Sequence, residues 1–487
     1  MRKKNPYLLY PMVGVAAAVV IVILLNSWIC PEEKIFSDEE VVYEAVVASP
    51  VVEQGKTYVC DLLITTPPYQ GITISARILS PASQNPQPTT SQPTTNNPQP
   101  KTFNPNKLAI LDGLEVKSRI DTDTSRYARV NIPGKTFITP SSMQRKQVSL
   151  SHLSIIQRAR LRMLKLREGL IENLRRNIDD EAFSIIAAMA LGDKSSLSRQ
   201  TKALFSQTGT SHILALSGLH IGIIYAFILL LLGGKGVGSP RRRVLTSFLS
   251  LLPVWAFVML VGMPFSAIRS ATMITIYALI LALGRRSPSL NTLALAAVVI
   301  LVANPKSLFD VGFQLSFLSM VGIFTILPFV MSQIPMRWQA ENRLTAAFLR
   351  ASLISISAQI ATAPLVAYYF HTFSVYFLLN NYVVVPLATI ILYLAIAYFI
   401  AIPISAAVQS ILALVLSSLV GFLEHFLSAM SAFPFAVVSN LYPDRMQVVI
   451  IYLLIVEAFL FVYHNTPKRL ALILTTAILL ILYSALC

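Results

Sequence analysis

The run His212-Ile-Leu-Ala-Leu-Ser-Gly-Leu-His-Ile-Gly-Ile-Ile-Tyr225 has the apolar character of a membrane helix, yet it carries two histidines, a serine and two glycines. An ionisable side chain inside a bilayer is costly, so it takes a partner or a watery cavity. Gly218 and Gly222 lie four apart, the small-xxx-small spacing that lets two membrane helices approach backbone to backbone. His220 sits between them, so a contact made through the glycines brings a second helix to its imidazole. The run therefore predicts a packed polar spot inside a helical bundle.

The composition agrees. Of 487 residues, 55% are hydrophobic and 13% charged, against about 25% charged in a typical soluble domain. That excludes a soluble globular protein and predicts a polytopic α-helical membrane protein. The net charge of +16 reads either as basic loops kept on the cytoplasmic side or as a contribution to binding an anionic partner. Three cysteines indicate neither a disulfide framework nor a cysteine metal site.

Eleven apolar runs have spanning character, at 8–29, 211–233, 244–262, 265–284, 290–303, 309–330, 346–370, 375–402, 406–430, 447–463 and 470–486. Residues 1–30 read as a retained N-terminal anchor, with Arg2, Lys3 and Lys4 holding the N-terminus in the cytoplasm. Alternating from there puts Arg241 to Arg243, Arg285 with Arg286, Arg337 with Arg343, and Lys468 with Lys-following Arg469 inside. The short 290–303 run, and Pro386 within 375–402, mark where a re-entrant segment would change the count.

Residues 31–150 form a polar extracytoplasmic domain. Strand signals at 41–48, 57–65, 72–79, 114–120 and 128–132, separated by Gly, Pro and Asp/Asn turns, suit a small barrel. Its twelve basic and twelve acidic residues make no electrostatic stripe. The stretch 81–106, rich in Pro, Gln, Thr and Asn, reads as a disordered insertion. Cys30 and Cys60 fall on the same oxidising side, and their pairing stays open. Residues 151–180 then read as a basic amphipathic helix lying in the membrane interface. Its apolar stripe is Ile156, Ala159, Met163, Leu166, Leu170, Leu174 and Ile178, with Arg158, Arg160, Arg162, Lys165, Arg167, Arg175 and Arg176 around it. Such a helix anchors to anionic headgroups, or lines an entrance with positive charge. The apolar helix at 181–191 is too short to cross.

Four blocks in order carry a family resemblance: Ser217-Gly-Leu-His-Ile-Gly222, Arg269-Ser-Ala-Thr-Met273, Asn304-Pro-Lys-Ser-Leu-Phe-Asp-Val-Gly-Phe-Gln-Leu-Ser-Phe317, and Leu379-Asn-Asn381 with Pro386. They resemble the ComEC competence family over residue 179 onward, and the region before it loosely. The resemblance implies an inner-membrane channel that admits single-stranded DNA during natural transformation, with residues 181–487 as the channel domain and an OB-like outer barrel. It implies the lipid bilayer as its setting, a separate DNA receptor and a cytoplasmic motor or helicase as partners, and no enzymatic activity of this chain. Full-length members often end in a metallo-β-lactamase-like domain. No HxHxDH motif stands here, so a separate nuclease is the expected partner if the second strand is degraded. No P-loop and no cofactor site are read, and a homodimer is left open.

Candidates for the DNA path are Ser217, Gly218, His220, Gly222, Arg269, Asp310, Gln314, Ser316, Asn380 and Asn381. Arg269 either snorkels to outer headgroups or meets a phosphate with its planar fork. Gln314 and Ser316 act as interhelical glue or line a hydrated path. Asn380 and Asn381, ahead of Pro386, suit an unwound turn in a cavity. His220 is a hydrogen-bonded core residue, a proton carrier or a metal ligand. Two rivals remain: a secondary transporter of a small solute, which predicts an inverted repeat, and a membrane scaffold.

Overall fold

The computed structural model describes residues 11–29, 36, 39–55, 57–79, 105, 108–122, 134–232, 240–282, 289–335, 343–464 and 467–486. The first helix, α1, is Pro11–Ile29. Residues 81–104 of the expected insertion, Cys30, and the expected strand at 128–132 lie outside the described residues.

Seven strands follow: β1 Glu40–Val47, β2 Val52–Gln54, β3 Thr57–Ile64, β4 Thr73–Leu79, β5 Gly113–Thr122, β6 Gly134–Ile138 and β7 Met143–Arg145. β1 pairs antiparallel with both β3 and β5, β3 with β4, and β5 with β6, while β4 and β6 run parallel. The ring β1-β3-β4-β6-β5 therefore closes on itself as a five-stranded barrel. Period-two alternation sends Tyr43, Ala45, Val47, Cys60, Leu62, Ile64, Ile74, Ala76, Ile78, Leu114, Val116 and Ile138 inward. Cys60 is a free thiol in this core. The strand β6 went unread because Pro133-Gly134 looks like a turn. Gly134 is there for space: a Cβ on it would lie 2.6 Å from the Phe36 ring.

The helix α2, Ile155–Asn177, opens with a capping box in which the Gln157 N–H donates to Ser154 Oγ and the Ser154 N–H to Gln157 Oε1. Leu161, Leu164, Arg167 and Leu174 are its buried residues, whereas Ile156 and Leu166 of the expected stripe are 63% and 54% exposed. The difference has a packing cause. α2 is clasped between the outer wall of the barrel, where Leu161 meets Val46, Ala48 and Leu63, and the helical bundle, where Leu174 joins the main core. Its buried face is set by two partners instead of one flat surface. α3, Asp180–Ile186, continues into a π-helical turn, Ala187–Leu191, and stops at Gly192 in the left-handed region. Every residue from Ala182 to Leu191 is buried, so this short segment is the inside of the bundle.

The bundle comprises α4 Arg199–Gln207, α5 Ser211–Leu214, α6 Gly218–Leu231, α7 Pro240–Leu260, α8 Phe265–Ala282, α9 Ser289–Ala303, α10 Val311–Gln333, α11 Arg343–Phe370, α12 Phe377–Ala401, α13 Ala406–Ser431, α14 Arg445–His464 and α15 Pro467–Leu486. Six described helices are long and apolar enough to cross a membrane: 265–282, 311–333, 344–370, 377–401, 406–431 and 445–462. Among the described residues the expected eleven spans divide into these six and five shorter apolar helices, Gly14–Ile23, Gly218–Leu231, Val244–Leu260, Leu290–Ala303 and Leu470–Leu480. One reason is visible at 211–233, expected as one span. The backbone leaves the helix at Ala215 and restarts at Ser217, which caps α6.

α12 runs unbroken through Pro386. Ring closure at proline removes one backbone donor, and the neighbouring turns hold, so the unwound turn expected at Asn380 and Asn381 does not form. α12 and α13 pack around α3 through Ile185, Ile186, Val384, Ile391, Tyr398, Leu416, Val420 and Leu423, each at most 1% exposed. α10 and α11 meet at Gly322, where a Cβ would lie 2.4 Å from the Ser357 carbonyl oxygen. Two further strands, β8 Thr372–Ser374 and β9 Val437–Ser439, pair as a ribbon between helix ends.

Candidate functional site

The four sequence blocks begin four helices. Ser217 caps α6, Arg269 lies in the first turns of α8, Asp310 caps α10, and Asn380 lies in the first turn of α12. Contacts tie the starts of α6, α8 and α10 into one rim, while Asn380 joins the loop at Thr208. Gly218 faces α8, where a Cβ on it would sit 3.1 Å from Ser270 Oγ. Gly222 has open space instead, with nothing within 4 Å of a Cβ. The small-xxx-small expectation therefore holds for one glycine and fails for the other, whose Cβ direction points to open space.

Arg269 is 5% exposed. Its Nη1 donates to Asp310 Oδ1 at 2.9 Å, and the same oxygen accepts the Phe313 N–H at 2.7 Å. One carboxylate thus caps α10 and neutralises a buried guanidinium from α8. Gly312 makes room for the pair, since a Cβ would meet Arg269 Nη2 at 2.9 Å. Arg269 neither snorkels nor stands open to a phosphate: its charge is engaged within the protein.

His220 is 1% exposed and folds back on its own turn. The Ser217 N–H donates to its Nδ1 at 3.3 Å, and Ser217 Oγ lies 3.1 Å from the same nitrogen. This is a capping role, in which the imidazole takes the place usually held by Glu or Gln. Gln314 spends both ends of its amide: Nε2 donates to Leu308 O at 3.0 Å, and Oε1 accepts from Tyr369 at 2.8 Å. That is interhelical glue between α10 and α11. The Ser316 carbonyl accepts from Ser319 Oγ at 2.9 Å.

Asn380, 1% exposed, donates Nδ2 to Thr208 O at 2.7 Å. Thr208 and Thr210 are buried too, with their hydroxyls 2.9 Å apart. Gly209 between them has φ of +73°, and a Cβ on it would meet Ser374 at 2.9 Å. Sequence reading missed Thr208, Thr210, Ser270 and Ser374. The signal was available in Gln207-Thr-Gly-Thr-Ser211, a polar run set between apolar ones, and in the small Ser270 beside Arg269.

These groups are not all satisfied. Arg269 Nε, Ser307 Oγ, Ser374 Oγ, Asn380 Oδ1 and Asn381 Oδ1 are buried without a hydrogen-bond partner in the protein. An unmet buried polar group costs roughly 1–3 kcal/mol. Arg269 and Ser307 beside Asp310 mark one place for water or a polar ligand, and Ser374, Asn380 and Asn381 beside the Thr208 loop mark another. Farther off, Glu457 accepts from Thr476 Oγ1 at 3.1 Å while its Oε2 is likewise unpartnered. Outside the bundle, burial pushes the Cys60 thiol up to about 12, which makes it inert at neutral pH.

A bundle of apolar helices, a closed barrel at one end and a set of buried polar groups define a multi-pass helical membrane protein. Comparison with known proteins gives the family. The profile described as "Competence protein" matches residues 189–466, and the chain belongs to that family. It is 29% identical over 241 residues to ComE operon protein 3 of Bacillus subtilis (strain 168), covering 50% of this chain and 29% of that protein. It is 28% identical over 204 residues to an uncharacterized protein of Aquifex aeolicus (strain VF5), covering 42% and 44%. The chain thus spans less than half the length of these curated relatives. No solved structure matches.

Proposed function

We propose that the chain is an inner-membrane channel through which single-stranded DNA enters the cytoplasm during natural transformation. The observation that carries this reading is a set of five buried polar atoms without protein partners, lying in or beside the sequence blocks that begin α8, α10 and α12. A structural knot would satisfy its own groups; a polar mouth leaves some for water and a passing strand. Membership of the competence family supports the same reading.

The N-terminus lies in the cytoplasm in this proposal, because the basic clusters at Arg241 to Arg243, Arg285 with Arg286, and Lys468 with Arg469 then fall inside. The barrel and the rim lie outside. The barrel's strand order, with β1 between β3 and β5 and with β4 parallel to β6, supports reading it as an OB-type barrel, a fold used for oligonucleotides. A separate receptor hands the strand to the rim, and a cytoplasmic motor or helicase draws it in.

The test is transformation frequency in strains carrying Asn380→Leu, Asn381→Leu or Gln314→Leu, with membrane levels checked by immunoblot. A drop of tenfold or more with protein present supports the channel. Unchanged transformation in all three would sink it.

A further inference from the structure

With Arg269 paired to Asp310, the phosphates of a strand must find positive charge elsewhere, and the course of α2 shows where. Near its start, Arg160 Nη2 donates to the Gly262 carbonyl at 3.5 Å, in the turn between α7 and α8 just ahead of Arg269. In its middle, Arg167 Nε donates to Leu191 O at 2.7 Å. Near its end, Asn173 Oδ1 accepts from Tyr398 at 2.9 Å and from Gln409 Nε2 at 2.6 Å. Tyr398 closes α12 and Gln409 opens α13, so both lie at the end opposite Asn380. Eighteen residues of α12 separate Asn380 from Tyr398, about 27 Å along the helix. α2 therefore runs along the depth of the bundle, and the expectation that it lies flat in the interface is replaced.

One face of α2 is spent on these contacts. The other carries Arg162, Lys165, Gly169, Glu172 and Arg176, spaced three or four apart as one helical stripe, with Leu166 and Arg175 beside it, all exposed. A Cβ at Gly169 would meet nothing within 4 Å, so the stripe is open along its middle. Arg162 to Arg176 spans about 21 Å. Charged side chains turned to hydrocarbon carry a heavy penalty and in membrane proteins face a partner or water.

We propose that this open face of α2 borders the hydrated path and binds the sugar-phosphate backbone of the entering strand, with Arg162, Lys165 and Arg175 as its phosphate contacts. The inference rests on the channel reading. Glu172 holds Arg176 at 3.0 Å, and that internal counter-charge keeps the rail from gripping. Several weak phosphate contacts in a row let a polymer bind and still advance.

The test uses the full chain in nanodiscs of zwitterionic lipid, with a fluorescent single-stranded oligonucleotide titrated at several salt concentrations. Each phosphate contact contributes about −0.7 to the slope of log affinity on log salt. The triple variant R162Q/K165Q/R175Q is expected to lose about 2 units of slope, so between 50 and 200 mM salt the wild type loses about 20-fold more affinity than the variant. Transformation falls with it, and R162K/K165R/R175K restores both. All three side chains are exposed, and melting temperature checks that the variant folds. An unchanged slope in the triple variant overturns the rail while wild-type binding leaves the channel standing. The same result together with loss of co-purifying anionic lipid would make the face a lipid anchor, which also overturns it. If the wild type binds no strand and its deletion leaves transformation intact, the channel reading fails and takes the rail with it.

Discussion

Replacing Asp310 by Asn separates the two tasks of that carboxylate. Asn caps a helix about as well as Asp, so the Phe313 N–H keeps its acceptor, while Arg269 loses its counter-charge. Breaking a fully buried ion pair from one side costs about 3–5 kcal/mol. Here the Arg269 side chain is 6% exposed but that of Asp310 is 33% exposed, and screening through the open side brings the expected cost to about 2–3 kcal/mol. Asp310→Ala removes the cap as well and should cost about 1 kcal/mol more. Arg269→Met leaves a half-solvated carboxylate that still caps α10, and should cost less than Asp310→Asn. The double variant Arg269→Met with Asp310→Asn removes the stranded charge, and should regain about 2 kcal/mol over Asp310→Asn alone. The assay is equilibrium unfolding of the purified protein in lipid bicelles. A wild-type stability for Asp310→Asn, or a double variant no better than that single one, would refute the claim that Asp310 neutralises Arg269.

Three further outcomes are expected. Gly322→Ala puts a methyl group against the Ser357 carbonyl and the Ala361 methyl, forcing α10 and α11 apart at a cost of about 1–3 kcal/mol; an unshifted unfolding midpoint would contradict the contact. Asn380→Ala frees the Thr208 carbonyl and should expose the loop at Thr208 to Thr210 to limited proteolysis before the rest of the bundle opens. Cys60 should resist maleimide at pH 8 until the barrel is unfolded. Its thiol stands at about 12 against an ordinary 9.0, so the folded state keeps a proton that the unfolded chain gives up. The barrel's stability should therefore hold below pH 9 and fall from about 9 towards 12. Cys60→Ala should flatten that alkaline limb.

Much of the architecture was legible. Runs rich in β-branched and aromatic residues at Val41 to Val47 and Thr57 to Ile64, bounded by turn residues, gave barrel staves, and the longer apolar runs gave helices, since both signals are local. Pairing was not: Arg269 and Asp310 lie 41 residues apart, and no periodicity links them. Ser217 looked like a polar intrusion within a span, whereas it ends one segment and starts another, because capping competes with helix continuation only once His220 is close enough to help. The buried face of α2 was misread for a related reason. A stripe of period 3.6 presumes one apolar neighbour, and α2 has two. Pro386 misled in the other direction, as a buried helix tolerates proline when its neighbours hold the turns on either side.

The bonds of Asn173 to Tyr398 and Gln409 reach across 225 and 236 residues. During synthesis at about 5–20 residues per second, the α2–α3 hairpin emerges roughly 10–50 seconds before the helices that complete its socket. Until then its charged and apolar faces have no settled home. Membrane insertion must hold this hairpin in waiting at the surface or within the insertion machinery, so a ribosome stalled before α12 should yield a chain whose N-terminal half is the first part seized by quality-control proteases.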